Sequence, residues 1–507
     1  MELTYAQYRD KVLGCFNGKN SGGTLGAPFE CRRGTFDIDF YTQELHGEPF
    51  PNDDLDLQLV WLNAIEQHGS RINGRILGEY WINYITPHWG EYGAGKNNLR
   101  AGILPPLSGA VNNIYKDSCG CFILSEIWAC LTPGHPELAV RYAFEDGSVN
   151  HADEGLYAEI FCAAMQSAAF VESDPHKLLE IGLSYIPNNC GVARGVSCVR
   201  DAYDEGVDWK AARKRLMQAV PGSFGALGTH RHEMAPDEPV GEIGWDAPSN
   251  IAIVVLGFLY GEGDFGKSIC LAAGCGEDAD CTAGTLGALL GILGGNSAIP
   301  ENWLQPLGGK IKTLCINRAD LGLRIPSTIE ELTERMTRLV PVFLGQDLCD
   351  TTGERGYRIH MREPSQLCCA PEPVNAWYRR DFADKLSESP LTISEDFSIF
   401  RLALQYDNDP FMIPGQDKEF CLTIENCIQM QQWITIKWYL PEGFTISPNA
   451  RISDSLEQFY CNIGINRYTF TLHVPETLSE REELVVSVSS VGHPTRGLLP
   501  VMLYTRG

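Results

Sequence analysis

Through the first two thirds of the chain, apolar residues recur at intervals of three and four, the spacing of one face of a helix. In the segment "LDLQLVWLNAIEQHG" the residues on this stripe are Leu55, Leu59, Leu62 and Ile65. The spacing returns in "GLYAEIFCAAMQSAAFV", "APSNIAIVVLGFLYG" and "TIEELTERMTRLVPVFL". The pattern predicts an all-α domain over residues 1–345.

Near the C-terminus the apolar period changes to two, the period of a half-buried strand. Short β-branched and aromatic segments such as "FCLTIENC", "WITIKWYLPEGFTISP" and "YTFTLHVP" are separated by Pro, Gly, Asn and Asp. This pattern predicts an antiparallel, immunoglobulin-like β-sandwich over residues 391–507. Residues 346–390 are rich in turn formers without a sustained period, which predicts a linker. The sequence does not decide whether the protein forms a homo-oligomer through an edge strand of the sandwich.

Composition and charge narrow the choice of partners. Hydrophobic residues make up 44% and charged residues 21% of the chain, as in folded globular proteins. The formal net charge is -25, so nucleic acid and anionic membranes are not expected partners. The most apolar run, "IAIVVLGFLYG", is much shorter than the roughly 20 residues that span a bilayer.

The cysteines and the N-terminal residues indicate the cellular compartment. The chain has 18 cysteines, and no two of them are spaced as C-x-x-C. This usage predicts reduced thiols rather than zinc ribbons or a disulfide framework. The first residues lack the uninterrupted apolar core of a signal peptide. We therefore expect a cytoplasmic protein.

Two aspartates stand directly before a long apolar, glycine-rich segment. In "GEDADCTAGTLGALLGILGG", Asp278 and Asp280 are predicted to lie in a short loop before a buried helix that begins near Cys281. Helix capping alone explains carboxylates at such a position. A calcium EF-hand is excluded, because its sixth and twelfth positions would be Ala283 and Leu289 instead of Gly and Glu.

A second acidic pair weakens the capping explanation. In "PNDDLDLQLVWL", Asp53 and Asp54 follow a plausible N-cap, Asn52, at the start of another predicted helix. If the two pairs met in space, their four carboxylates would repel one another unless cations lay between them. Hard divalent cations with oxygen ligands are the natural candidates.

The pairing of "GTLGAPFE…NDDLDLQLVWL" with "GEDADCTAGTLGALLGILGG" resembles the ADP-ribosylglycohydrolase family over roughly the first 300 residues. The resemblance implies an all-α domain that holds two Mg²⁺ or Mn²⁺ ions. It assigns Asp53, Asp54, Asp278 and Asp280 as metal ligands. It also implies that Glu30, in the family's G-A-P-x-E context, takes part in catalysis.

Two residues depart from the family pattern. Asn52 stands where many members have Thr or Ser before the first aspartate pair, and Cys281 stands where they have Thr or Ser after the second pair. The amide oxygen of Asn52 still suits a hard cation, so Asn52 is a candidate metal ligand. The sulfur of Cys281 is a poor partner for magnesium, and Thr282 points elsewhere on the helix.

The central segment, which contains "DSCGCFILSEIWACL" and "FEDGSVNHADEGLYAEI", also resembles the family, and the likeness implies substrate-binding roles for His151, Gly120 and Asn113. Further residues that fit a bacterial subgroup are Asp146, Gly155 and Glu159. An ordinary solvent-facing loop histidine bonded to Asp153 is the alternative for His151. The glycine-rich segment 91–113 is either a cleft rim or a plain surface loop.

The resemblance implies hydrolysis of an N- or O-glycosidic bond of an ADP-ribosylated or related small-molecule ribosyl substrate. Glu30, Asp54 and Asp278 are the expected catalytic residues. A hydrolase of another small glycoside or nucleoside remains an alternative. So does a non-catalytic ligand-binding relative, which Asn52 and Cys281 favour, whereas Glu30 and the four aspartates favour an enzyme.

Overall fold

The computed structural model describes residues 1–220, 244–317, 322–352, 356–369, 391–428, 430–457 and 464–506. The chain divides into a helical unit and a β unit. The helical unit accounts for most of residues 1–369, and the β unit contains the strands from 392 to 505. The predicted fold class, an all-α domain followed by an antiparallel β domain, is confirmed.

Sixteen α-helices lie within the described residues. They are α1 (Tyr5–Gly26), α2 (Asp53–His68), α3 (Gly74–Tyr84), α4 (Gly90–Arg100), α5 (Leu107–Ala110), α6 (Ser125–Leu131), α7 (Pro136–Gly147), α8 (Asp153–Ala168), α9 (Pro175–Ser184), α10 (Gly191–Asp204), α11 (Trp209–Ala219), α12 (Ala247–Tyr260), α13 (Phe265–Gly274), α14 (Ala279–Gly294), α15 (Glu301–Leu304) and α16 (Ile329–Leu348). No described helix is long and apolar enough to cross a bilayer.

Five short strands accompany these helices. They are β1 (Glu2–Thr4), β2 (Arg32–Arg33), β3 (Gly276–Glu277), β4 (Cys349–Asp350) and β5 (Arg358–His360). Strands β1, β5 and β4 form an antiparallel sheet, so part of the predicted linker is ordered beside the N-terminus. Residues 370–390 of that segment lie outside the described residues, and the domain boundaries at 345 and 391 stay predictions.

Helices α1 and α14 pack antiparallel at backbone contact. A Cβ atom added at Gly18 or Gly22 would lie 2.0 Å from the carbonyl oxygen of Gly287 or Ala283. Cβ atoms at Gly14 and Gly26 would also clash with α14, at 2.6 Å and 2.2 Å from the carbonyl oxygens of Gly291 and Ala279, so the stripe follows every fourth residue of α1. The expected tight packing of a buried helix is therefore observed.

The same contact brings the C-terminal end of α1 to the N-terminal end of α14, where Gly26 lies against Ala279. Helix α14 begins two residues before the predicted start at Cys281. Asp278 is its N-cap residue and lies before the helix, as predicted, whereas Asp280 lies in its first turn, so the predicted loop position is wrong for Asp280. The shift is small, because assignments of helix ends vary by one or two residues. It means that the helix backbone sets the direction of the Asp280 side chain.

Helix α2 begins as its sequence predicts. The Oδ1 atom of Asn52 accepts a hydrogen bond from the backbone N–H of Asp54 at 2.7 Å, and the helix ends before Gly69. The predicted single apolar stripe is incomplete, because Leu57 and Trp61 are also fully buried. Helix α2 therefore runs through the core of the helical unit and not along its surface.

The β unit contains two five-stranded sheets with the strand orders β12-β10-β14-β15-β8 and β11-β13-β9-β7-β6. Its strands are β6 (Thr392–Asp396), β7 (Phe400–Tyr406), β8 (Phe411–Met412), β9 (Asp417–Asn426), β10 (Gln432–Tyr439), β11 (Thr445–Ser447), β12 (Arg451–Leu456), β13 (Ile465–His473), β14 (Arg481–Ser490) and β15 (Arg496–Thr505). All strand pairs are antiparallel except β8 with β15. Leu402 and Leu422 of one sheet share a core with Ile436 and Val486 of the other, as in a sandwich.

Candidate functional site

The two aspartate pairs meet where α2 and α14 begin. The Nδ2 group of Asn52 donates a hydrogen bond to Oδ2 of Asp280 at 3.0 Å. From the other helix, the Cys281 thiol donates to Oδ1 of Asp54 at 3.1 Å. Gly23 of α1 leaves the space for this arrangement, because a Cβ atom there would lie 3.1 Å from Nδ2 of Asn52.

Neighbouring side chains hold the outer aspartates. The hydroxyl of Tyr92 donates to Oδ2 of Asp53 at 2.5 Å, and the Cys119 thiol donates to Oδ2 of Asp278 at 2.6 Å. The backbone N–H of Asp278 donates to Oδ1 of Asn250 at 3.1 Å. These contacts fix the direction of each carboxylate without using all of its oxygen atoms.

Two groups of oxygen and sulfur atoms are placed to hold cations. Glu30, Asp278 and Asp280 each offer an atom within 4.8 Å of the others, as do Asp54, Asp280 and Cys281. The Oδ1 atoms of Asp278 and Asp280 are buried and have no hydrogen-bond partner. Buried carboxylate oxygens without partners cost free energy, and divalent cations would satisfy them. The all-oxygen group therefore fits the hard divalent cation that the sequence resemblance implies, whereas the second group fits a divalent cation but adds the sulfur of Cys281.

The crowding of carboxylates changes their protonation. Glu30 is accessible, yet partial removal from water and the nearby charges of Asp278, Asp53 and Asp54 raise its pKa to about 8. Burial raises the pKa of Asp54 to about 7, with Asp53 and Asp278 adding to the shift and Lys19 opposing it. Burial and Asp278 raise the pKa of Asp53, and burial with Asp278, Asp54 and Glu30 raises that of Asp280 more strongly. A cation would reverse these shifts by favouring the charged forms.

A buried lysine beneath the site was not identified from the sequence. Lys19 of α1 is 1% exposed, and its Nζ atom lies 3.4 Å from Asp54 and 3.1 Å from Glu126. Gln58 donates a second hydrogen bond to Glu126 at 2.8 Å. Lys19 therefore supplies a buried positive charge that stabilises the charged form of Asp54. The signal in the sequence is a single lysine within the small and apolar residues of "GCFNGKNSGGTLG".

A short strand pair positions the segment that carries Glu30. Strand β2 after Glu30 pairs with β3 before Asp278, and the backbone N–H of Cys31 donates to the carbonyl of Glu277 at 2.9 Å. The Glu277 carboxylate forms ion pairs at 3.1 Å with Arg33 and with Arg213. This buried anchor fixes Glu30 close to Asp278, although the two residues are far apart in sequence.

His151 is fully buried, so it is not the solvent-facing loop histidine of the alternative interpretation. Its Nε2 atom lies 3.0 Å from Oγ of Ser118, whereas Asp153 pairs with Lys116. Burial lowers the pKa of His151 to about 3, so the imidazole is neutral. The structure places His151 behind Ser118, where it orients the loop that precedes Cys119.

Asn113 and Gly120 shape the same region. The Nδ2 group of Asn113 donates to the carbonyl oxygens of Gly109 and Asn150 at 2.8 and 2.7 Å, so this amide joins two loops. A Cβ atom at Gly120 would lie 2.1 Å from Oε1 of Glu91. Gly120 therefore allows the carboxyl group of Glu91 to approach the backbone.

Glu91 is a further acidic residue of the site that sequence reasoning missed. Burial, together with Asp53 and Asp278, raises its pKa to about 7. The segment 91–113 was expected to be a glycine-rich loop, but it contains α4 and α5, and Glu91 lies in the first turn of α4. Its sequence signal is an acidic residue at a helix start, the position also occupied by Asp53.

The residues that fit the bacterial subgroup lie deeper in the core. Oδ2 of Asp146 accepts hydrogen bonds from the indole N–H groups of Trp61 and Trp128 at 2.8 and 2.7 Å. Glu159 accepts a hydrogen bond from the Cys121 thiol at 2.8 Å. Burial raises the pKa of Asp146 to about 7 and that of Glu159 further. These contacts indicate that the pair organises the helices behind the site.

Comparison with known proteins shows the family to which this chain belongs. Residues 4–342 match the sequence profile described as ADP-ribosylglycohydrolase. A solved structure named as an ADP-ribosylglycohydrolase-related protein complex aligns at 19% identity over 67% of this chain and 98% of its own, with a TM-score of 0.42. The ASH / PapD-like domain of human CEP192 aligns at 17% identity over 24% of this chain and 88% of its own, with a TM-score of 0.16. No curated protein sequence matches significantly.

Both TM-scores are low, so the assignment rests on the sequence profile, which covers the chain from the start of α1 to residue 342, within α16. That segment contains both aspartate pairs, Glu30 and the glycine stripe that joins α1 to α14. The chain belongs to the ADP-ribosylglycohydrolase family.

Proposed function

We propose that this protein is a divalent-metal-dependent hydrolase that cleaves an N- or O-glycosidic bond of an ADP-ribosylated substrate or a related ribosyl compound. Family membership supports a glycohydrolase of ADP-ribosyl-type substrates. The observation that carries the finer proposal is the convergence of four aspartates with two unpartnered, buried oxygen atoms, Oδ1 of Asp278 and Oδ1 of Asp280.

The ions in this proposal are two Mg²⁺ or Mn²⁺, held by Asp53, Asp54, Asp278 and Asp280. Such ions would bind ribose hydroxyl groups and lower the pKa of a bound water molecule. Asn52 is a weaker candidate ligand, because its Oδ1 atom already caps α2 and its Nδ2 group binds Asp280. Its role in this proposal is therefore to keep the two aspartate pairs in register.

Glu30 is the group proposed to act on the substrate. It is exposed, whereas Asp54 and Asp278 are buried and held by Lys19 and Cys119. From this accessible position the carboxyl group of Glu30 would act on the leaving group or on the attacking water molecule as a general acid or base. The buried aspartates Asp54 and Asp278 contribute negative charge that stabilises an oxocarbenium-like transition state.

Calorimetric titration of ADP-ribose tests the proposal, first with Mg²⁺ or Mn²⁺ and then after chelation. We expect binding only with metal, and loss of binding in the Asp278→Ala, Asp280→Ala double variant. Asp201→Ala, which removes an exposed carboxylate from α10, is the matched control and should bind as the wild type does.

Turnover of ADP-ribosylated protein and of small ribosyl compounds then separates the alternatives. Release of ADP-ribose supports the proposed hydrolase, and Glu30→Gln should lower this turnover. Metal-dependent binding without turnover of any substrate would favour the non-catalytic relative. Turnover of simple glycosides or nucleosides in place of ADP-ribosyl compounds would favour the other hydrolase.

The proposed setting is the cytoplasm. No cysteine within the described residues forms a disulfide, and most of them are buried. A reducing compartment preserves this state. The absence of nucleic acid partners and a homo-oligomer formed through the β unit both remain predictions from the sequence.

A further inference from the structure

We infer that the cation held between Asp54, Asp280 and Cys281 is bound through the Cys281 sulfur, so that this position selects a borderline-soft ion such as Zn²⁺ over Mg²⁺. The inference concerns the metal centre of the proposed function and rests on the metal dependence stated there. It changes one part of that proposal: the all-oxygen position keeps Mg²⁺ or Mn²⁺, whereas the position at Cys281 takes the softer ion.

The two groups of ligand atoms share one residue and differ in the others. Glu30, Asp278 and Asp280 offer oxygen atoms alone, whereas the second group combines Asp54 and Asp280 with the sulfur of Cys281. Asp280 belongs to both groups, and its buried Oδ1 atom has no hydrogen-bond partner. The shared carboxylate would therefore lie between a hard, all-oxygen position and a mixed oxygen–sulfur position.

Cys281 cannot easily turn away from this position. It is 7% exposed and lies in the first turn of α14, whose backbone is fixed by the contact of Ala279 and Ala283 with the glycines of α1. Its Sγ atom lies 3.1 Å from Oδ1 of Asp54. A cation that enters between Asp54 and Asp280 therefore meets the sulfur as one of its nearest atoms.

The ligand atoms of this position determine which cation binds most tightly. Magnesium demands oxygen ligands at near-ideal octahedral geometry, whereas zinc and cobalt accept thiolate, imidazole and carboxylate ligands together. On binding, the Cys281 thiol would lose its proton to solvent, and the thiolate would form the bond to the metal. A second thiol, Cys119, lies beside Asp278 and in contact with the Cys281 thiol. The sulfur content of this cleft suits a borderline ion better than a hard one.

Cobalt(II) provides a direct spectroscopic test, because a thiolate bound to Co²⁺ gives a sulfur-to-cobalt charge-transfer band in the near ultraviolet. The protein carries Cys368→Ser and Cys369→Ser throughout, since these adjacent, exposed thiols would bind cobalt adventitiously. After chelation and addition of Co²⁺, we expect the band in this background and its loss in Cys281→Ser. Cys198→Ser, which removes a half-buried thiol from α10, is the matched control and should keep the band.

Metal affinities provide the second measurement. Cys281→Thr, which restores the hydroxyl common in the family, should weaken Zn²⁺ binding by at least about tenfold and leave Mg²⁺ binding equal or tighter. Circular dichroism identifies any variant that fails to fold. The inference is overturned if the cobalt band is missing in the parent protein, persists in Cys281→Ser, or disappears only in Cys119→Ser.

Binding of ADP-ribose, measured separately, keeps the two proposals distinguishable. A thiolate band without ADP-ribose binding would support the mixed metal site and count against the proposed substrate. Binding of ADP-ribose with Mg²⁺, in a protein that shows no cobalt band, would overturn the mixed site and leave the proposed function standing.

Discussion

Replacing Gly22 by alanine should separate α1 from α14 and disturb the metal site without touching any carboxylate. The added Cβ atom would lie 2.0 Å from the carbonyl oxygen and 2.3 Å from the carbonyl carbon of Ala283. Ordinary contact begins near 3.4 Å, so the helices must move apart by more than 1 Å. Overpacking of a rigid core costs about 1–3 kcal/mol or more, and here both partners are backbone atoms. We expect the free energy of unfolding to fall by about 3 kcal/mol.

Urea unfolding and calorimetric Mg²⁺ titration together measure this effect. Because the α1–α14 contact holds the start of α14, which carries Asp280, Mg²⁺ affinity should fall as well. The control is Gly78→Ala in α3, where the new Cβ atom meets only the flexible end of the Leu99 side chain at 3.0 Å. If Gly22→Ala unfolds within about 0.5 kcal/mol of the wild type, as surface substitutions do, the close helix contact is not what holds the site together.

Three further predictions follow from the buried charges. Lys19→Met leaves Asp54 and Glu126 without their cation, so urea unfolding should show a loss of about 3–5 kcal/mol, and a loss below about 1 kcal/mol would contradict the role given to Lys19. With pKa values raised to about 7 for Asp54 and about 8 for Glu30, the stability these groups confer is complete below about pH 4 and lost as pH rises toward 8. Melting temperatures of the chelated protein should therefore fall over that range and recover with metal; a flat profile would refute the shifts. Asp280→Asn should raise the melting temperature of the metal-free protein while abolishing Mg²⁺ binding, and a lower melting temperature would show that carboxylate repulsion is weak.

Local features of the site could be predicted from the sequence because they depend on neighbouring residues. The capping of α2 by Asn52 follows from a short polar side chain before a helical pattern. Tight packing of α14 follows from its small residues, although the sequence does not show that the partner is the glycine stripe of α1. The meeting of the two aspartate pairs was reached through the family resemblance, since no local rule brings Asp54 beside Cys281.

Other features escaped prediction because contacts between distant segments create them. Lys19 becomes a partner of Asp54 only when α1 packs against α2 in the folded protein. Nothing in the sequence around Lys19 shows that this lysine is buried. Glu91 was placed in a loop because glycines dominate its segment, yet packing stabilises α4 despite their low helix propensity. His151 is fully buried beside Ser118, so its interpretation as a surface residue is wrong, whereas its substrate-binding role stays a prediction.

The arrangement explains why carboxylates stand before the glycine-rich helix. Like charges at the starts of α2 and α14 favour separation, and the backbone contact between Gly26 and Ala279 opposes it. Only one buried lysine, Lys19, offsets the negative charge around Asp54 from within the described core. The repulsion between these closely held carboxylates therefore lowers the free energy of unfolding of the metal-free protein. A bound cation removes this repulsion, which favours binding. The affinity for the metal therefore depends on the rigidity of the α1–α14 contact as well as on the ligands.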